Sequence, residues 1–80
     1  MDLEDAISGI DETLNSKGIP KRVKEALSKV KEELTAEKPE LAIRVTSAIY
    51  ELDDIANDVN IPMHAKTLLW DIISDLESLK

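Results

Sequence analysis

Apolar residues recur every three or four positions in four segments of the chain, which is the period of an amphipathic helix. No segment alternates apolar and polar residues for long enough to indicate a strand. Three prolines fall where helices begin, because the first helical turn tolerates a missing N–H. The pattern therefore predicts an all-α protein with four helices, near Leu3–Leu14, Pro20–Thr35, Pro39–Asn57 and Pro62–Leu79.

The two halves of the sequence repeat each other at an offset of 42 residues. Ile19-Pro20 aligns with Ile61-Pro62, and Gly18 aligns with Asn60. Gly and Asn tolerate a left-handed backbone best, so both turns are expected to use that conformation. This repeat length is in the range of HEAT and armadillo helix pairs. Since two units can close face to face, we expect one domain over residues 1–80, a compact four-helix bundle of two similar hairpins (about 3–35 and 39–79).

Composition narrows the cellular setting and the chemistry. The chain has 80 residues, a formal net charge of −7 and no cysteine. Without cysteine it can form neither a disulfide nor a thiolate site. The acidic start does not resemble a signal peptide, and no apolar run approaches the roughly 20 residues that span a bilayer. These features favour a cytoplasmic protein without a membrane partner.

One stretch resembles a known family. The residues from Asn57 to Trp70, NDVNIPMHAKTLLW, are similar to the signature of uncharacterised protein family 0147, a group of small archaeal proteins of unknown function. The earlier Ile19-Pro20-Lys21-Arg22-Val23 looks like that family's first turn. Val59 stands where the family often has proline. The resemblance implies an archaeal, all-helical bundle and implies no catalytic residues.

The motifs of common catalytic and metal sites are absent. Dinuclear metal bundles use a Glu-x-x-His pair on two helices, whereas this chain has one histidine, His64, with Ile61 three residues earlier. Glu51, Asp54 and Asp58 form an acidic stripe, a pattern that is more typical of a solvated face than of a cation site. No glycine-rich loop presents a phosphate site. We predict a protein that is not an enzyme and uses no metal, cofactor or small-molecule substrate.

A basic cluster at the start of the second helix is one candidate binding site. Lys17, Lys21, Arg22 and Lys24 are close together in an otherwise acidic chain. Cations near a helix N-terminus oppose the helix dipole, and the amide groups there bind anions. The cluster could serve an anionic partner such as RNA or a ribonucleoprotein. Neighbouring glutamates that neutralise it are the more typical explanation, since no aromatic platform is interleaved.

The second hairpin carries extra apolar residues outside its core stripe. Ile43 and Tyr50 lie seven apart in the third helix, Met63 and Trp70 lie seven apart in the fourth, and Ile73 bridges toward the core. Such residue types are enriched at interface centres. The alternative is that they complete the core, because a lone Trp is usually well buried. The leading hypothesis is a non-catalytic protein that binds a protein partner or itself, as a homodimer, through these five residues.

Overall fold

The computed structural model describes residues 2–79, which contain four α-helices and no strand. Helix α1 spans Leu3–Leu14, α2 spans Lys21–Thr35, α3 spans Leu41–Ala56 and α4 spans Met63–Glu77. Each helix packs against two neighbours, so that α1, α2, α3 and α4 form a closed ring with extents of 33 × 21 × 19 Å. The predicted all-α bundle is confirmed.

The repeat is visible in the positions at which the helices begin and end. Helices α2 and α4 both have 15 residues, and α4 begins 42 residues after α2. Helices α1 and α3 both end in an asparagine C-cap, Asn15 and Asn57, with φ of −91° and −84° and ψ of −3° in each. The two halves therefore share a backbone plan as well as a sequence pattern.

The buried apolar residues form one aliphatic cluster to which all four helices contribute. Equivalent positions of the two hairpins fill equivalent places in it. The buried pairs at an offset of 42 are Ala6 and Ala48, Ile10 and Leu52, Ile19 and Ile61, Val23 and Ala65, Leu27 and Leu69, Val30 and Ile72, and Leu34 and Leu76. Both isoleucines that precede the prolines are thus core residues, as a staple between turn and helix requires.

Two details of the helix starts differ from the prediction. Pro20 and Pro62 are N-cap residues, with φ of −58° in both, and do not lie within the first turn. Pro39 lies one residue before the N-cap of α3, Glu40. The fixed φ of proline also suits a cap, because the extended ψ near 150° at these residues directs the chain into the helix. Helix α1 instead begins with a capping box between Asp2 and Asp5.

The two turns use different chemistry, which corrects a second expectation. Gly18 adopts the left-handed conformation, with a φ of 78°, but Asn60 does not, since none of the described non-glycine residues has a positive φ. In the second turn the Asp58 carboxylate accepts a hydrogen bond from the Asn60 backbone N–H at 2.8 Å. This side-chain contact replaces the left-handed residue as the device that reverses the chain.

The end of α2 is completed by a side chain from α3. Helix α2 lacks a glycine after its last turn and ends at Ala36 in an extended conformation. The Arg44 guanidinium donates to the Leu34 carbonyl at 2.8 Å and to the Glu33 carbonyl at 3.4 Å, while its Nε donates to the Pro39 carbonyl at 2.8 Å. A cation at a helix C-terminus satisfies free carbonyls and complements the dipole. Arg44 thereby attaches the second hairpin to the first.

Candidate interaction surface

Four of the five predicted interface residues are exposed on the second hairpin. The exposed fraction is 55% for Ile43, 72% for Tyr50, 66% for Met63 and 48% for Trp70. Ile73 is only 8% exposed and belongs to the core, so its inclusion in the predicted interface was wrong. It lies on the flank of its helix, where a neighbouring helix covers it. We call the surface formed by the other four residues the α3–α4 outer surface.

Contacts on the opposite flanks show that the exposed residues of both helices lie on one side of the hairpin. In α3, Glu51 faces α2, because its Oε1 lies 2.9 Å from Lys29 Nζ. Tyr50 is about 100° around the helix from Glu51 and so lies away from α2. In α4, Asp75 faces α1, since its Oδ2 would lie 3.7 Å from a Cβ at Gly9. Trp70 is about 140° from Asp75 and lies away from α1.

The two aromatic residues also lie at the same height along the hairpin. Tyr50 precedes the end of α3 by six residues, and Trp70 follows the first residue of α4 by seven. With a rise of 1.5 Å per residue, both are about 9–10 Å from the connecting turn. Ile43 and Met63 extend the apolar surface toward opposite ends of the hairpin. The four residues therefore follow the outer seam between α3 and α4.

The first hairpin supplies an internal comparison for this surface. At the offset of 42, Tyr50, Met63 and Trp70 correspond to Ser8, Lys21 and Ser28. These three polar residues are exposed in the first hairpin, where the same backbone plan holds. A hairpin of this fold thus forms with polar residues at the equivalent positions. The apolar residues of the second hairpin are not a requirement of the architecture.

A shallow groove of about 540 Å³ runs along the exposed side of α3. Its lining residues are Ala42, Ile43, Thr46, Ser47, Tyr50 and Glu51. The Thr46 hydroxyl donates to the Ala42 carbonyl at 2.9 Å and is occupied within the helix. The groove is predominantly apolar and open to solvent, so it suits the side chains of another protein better than an enclosed small molecule.

A carboxyl pair lies between α2 and α3 beside the groove, and the sequence analysis did not find it. Glu33 Oε1 and Glu51 Oε2 are buried and have no hydrogen-bond partner among the described residues when both groups are ionised. Burial, followed by the proximity of Glu51, raises the pKa of Glu33. Hydrogen bonding from Glu33 and then from Lys29 lowers the pKa of Glu51. A proton kept on Glu33 therefore gives this pair the donor that two carboxylates lack.

The predicted anion patch is partly neutralised by acidic neighbours. Arg22 donates to Asp58 in the turn of the other hairpin, and Lys21 lies 3.9 Å from Glu25. The Asn60 backbone N–H and then Arg22 lower the pKa of Asp58, so that carboxyl is ionised. Lys17 and Lys24 are exposed. Binding of an anionic partner stays a prediction, for which two of the four cations carry internal ion pairs.

The residues considered for metal binding are each engaged elsewhere or stand apart. Within residues 2–79 no group of three or more His, Asp and Glu side chains is arranged to hold a metal ion. In the acidic stripe, Glu51 pairs with Lys29 and Asp58 pairs with Arg22. His64 is exposed at the start of α4, and its Nε2 donates to the Gly18 carbonyl at 3.0 Å. This contact joins the two turns and is structural.

None of the helices in the described part of the chain is long and apolar enough to cross a membrane. The fold and its surface define a small four-helix protein made of two equivalent hairpins, one of which carries an apolar outer surface.

The comparisons with known proteins identify the family. The chain belongs to the uncharacterised protein family UPF0147, whose model matches residues 1–79. The UPF0147 protein of Methanocaldococcus jannaschii is 39% identical over 89% of this chain and 76% of its own length. The relative from Archaeoglobus fulgidus is 35% identical over 96% of this chain and 87% of its own length. The resemblance found in the sequence is confirmed, and no activity comes with it.

A solved structure from the same family has the same fold. The crystal structure of a UPF0147 protein from Thermoplasma acidophilum superimposes with a TM-score of 0.89. It is 34% identical and covers 96% of this chain and 91% of its own length. The bundle is therefore a property of the family, and its functional meaning has to be sought in the surface.

Proposed function

We propose that this protein is a non-catalytic interaction protein of the cytoplasm that binds another protein surface through the α3–α4 outer surface. The observation that supports the proposal is the difference between two hairpins of one backbone plan. Positions that hold Ser8, Lys21 and Ser28 in the first hairpin hold Tyr50, Met63 and Trp70 in the second. Apolar side chains that the fold does not need are retained at a cost in solubility, and a partner that covers them supplies the reason.

The size of the surface is adequate for a specific contact. A Tyr or Trp side chain buries about 150–250 Å² when fully enclosed, so the exposed parts of Tyr50 and Trp70 amount to roughly 250 Å². Ile43 and Met63 extend this area along both helices. A standard interface buries about 800 Å² per partner, and large aromatic residues at its centre usually contribute most of the affinity.

A second copy of the chain is the simplest occupant, because two-fold homodimers are the commonest oligomers. In such a dimer each copy contributes the same surface, and the aromatic residues lie near the two-fold axis. Another protein with an exposed apolar face is the alternative occupant. Both occupants make the same demand on Tyr50 and Trp70, so substitutions there test the proposal whichever partner is present.

The test replaces the two aromatic residues by the serines of the equivalent hairpin. The variant Tyr50→Ser with Trp70→Ser is compared with wild type by sedimentation and by mass spectrometry of proteins that co-purify from an archaeal host. We expect the variant to lose a dimer or a reproducible partner that the wild type shows. The matched control, Ser8→Ala with Ser28→Ala, should lose neither. A wild type that is monomeric and co-purifies with the same proteins as the double variant refutes the proposal.

A further inference from the structure

We propose, resting on the proposed function, that the occupant of the α3–α4 outer surface is a basic amphipathic helix of another protein rather than a second copy of the chain. Three observations support this inference: the charge of the second hairpin, the position of its acidic residues around the apolar surface, and the shape of the seam between two antiparallel helices.

The acidic excess of the chain is concentrated in its second half. Residues 1–38 contain nine acidic and seven basic side chains, whereas residues 39–80 contain eight acidic and three basic side chains. Of those three cations, Arg44 is held against the C-terminal carbonyls of α2 and is directed away from the α3–α4 outer surface. The hairpin that carries the apolar surface is therefore the more negative one.

Exposed carboxylates flank the apolar residues along both helices. Asp53 and Asp54 follow Tyr50 by three and four residues, which places them on the same side of α3. On α4, Glu77 follows Trp70 by seven residues and returns to the same side after two turns. Lys66, three residues after Met63, is the cation that α4 contributes near this surface. The rim is thus mainly anionic.

This rim disfavours a second copy as the occupant. In a two-fold dimer the same surface appears on both sides, so the carboxylates of one protomer would face those of the other. Like charges across an interface oppose association, whereas complementary charges steer the encounter and fix the register. A partner with lysines or arginines beside an apolar stripe complements both parts of the surface.

The geometry of the seam favours a helix. The outer seam of an antiparallel helix pair is a groove into which a third helix packs with its i, i+3 and i+7 side chains. The surface extends from Met63 at the turn to Ile43, which precedes the end of α3 by 13 residues, or about 20 Å. A partner helix of about 13 residues has that length.

The test uses two synthetic helical peptides of about 15 residues that share one leucine stripe and differ only in their flanking residues. One carries lysines and the other carries glutamates. Binding is followed by the fluorescence of Trp70 and by amide chemical shifts of the labelled protein. We expect the lysine peptide to shift the Trp70 emission to shorter wavelength, to perturb α3 and α4, and to bind at least about tenfold more tightly than the glutamate peptide.

Charge-removing variants separate electrostatics from simple hydrophobic contact. Asp53→Asn with Asp54→Asn should weaken the lysine peptide about threefold to tenfold and reduce the effect of added salt. The control, Glu4→Gln with Glu12→Gln, removes two exposed carboxylates from α1 and should leave affinity unchanged. Equal binding of both peptides, or no binding of either, overturns the inference. A wild-type dimer that loses its interface in Tyr50→Ser with Trp70→Ser also overturns it, but leaves the proposed function standing.

Discussion

Replacement of Gly18 by alanine should destabilise the protein, because two independent features of the first turn require glycine. The φ of 78° is a left-handed conformation, which costs a residue with a Cβ about 1–2 kcal/mol. The added Cβ would also lie 3.3 Å from His64 Nε2, which is closer than ordinary packing allows. The His64 ring must move, and its hydrogen bond to the Gly18 carbonyl, worth about 0.5–1.5 kcal/mol, weakens.

The expected loss in the free energy of unfolding is therefore about 1–2.5 kcal/mol, which for a domain of this size lowers Tm by about 5–15 °C. Urea titration followed by circular dichroism measures it. In a His64→Ala background the same substitution should cost only the backbone part, because the ring and its hydrogen bond are gone. The difference between the two costs isolates the contact between the turns.

The other glycine provides the matched control with the opposite sign. Gly9 lies inside α1, and a Cβ there would meet Asp75 Oδ2 at 3.7 Å, an ordinary contact. Gly9→Ala should raise the unfolding free energy by about 0.5–1 kcal/mol, since alanine favours a helix interior. The reasoning about the turn is wrong if Gly18→Ala unfolds within about 0.5 kcal/mol of wild type.

The remaining predictions concern the carboxyl pair and the repeat. The raised pKa of Glu33 means that its contribution to stability is present at low pH and is lost as the pH rises through its folded value. Glu33→Gln should therefore stabilise the protein at pH 7, an advantage that disappears below the ordinary pKa of 4.5. The lowered pKa of Glu51 gives the opposite sign, so Glu51→Gln should destabilise at pH 7 and lose that effect in acid; urea titrations at several pH values would contradict the pairing if both variants respond alike. Leu27→Ala and Leu69→Ala, at equivalent and fully buried positions, should each cost about 2–5 kcal/mol by thermal unfolding, and a difference above about 2 kcal/mol argues against equivalent packing.

The helical architecture could be predicted from sequence because local rules decide it. The apolar period, the prolines and the repeat fixed the number of helices, and the predicted ends differ from the observed ones by no more than two residues. The prediction for Asn60 failed for a local reason of another kind. The Asp58 side chain supplies a hydrogen bond to the turn, and a left-handed residue is then unnecessary.

The candidate surface was only partly predictable, because a helical period gives direction around one helix and says little about its neighbours. Ile73 was assigned to the outer stripe, although a neighbouring helix covers that flank. The Glu33–Glu51 pair joins helices whose relative register no sequence pattern reveals. The comparison of Tyr50 with Ser8 and of Trp70 with Ser28, in contrast, was already present in the repeat.

The central claim is that the second hairpin, and not its equivalent partner, meets another protein. The most direct measurement places a photo-crosslinking amino acid at position 50 and, separately, at the equivalent position 8, and irradiates archaeal cells that express each variant. Our account predicts a discrete crosslinked product from position 50 and none from position 8. Equal products from the two positions, or no product from position 50, would contradict it.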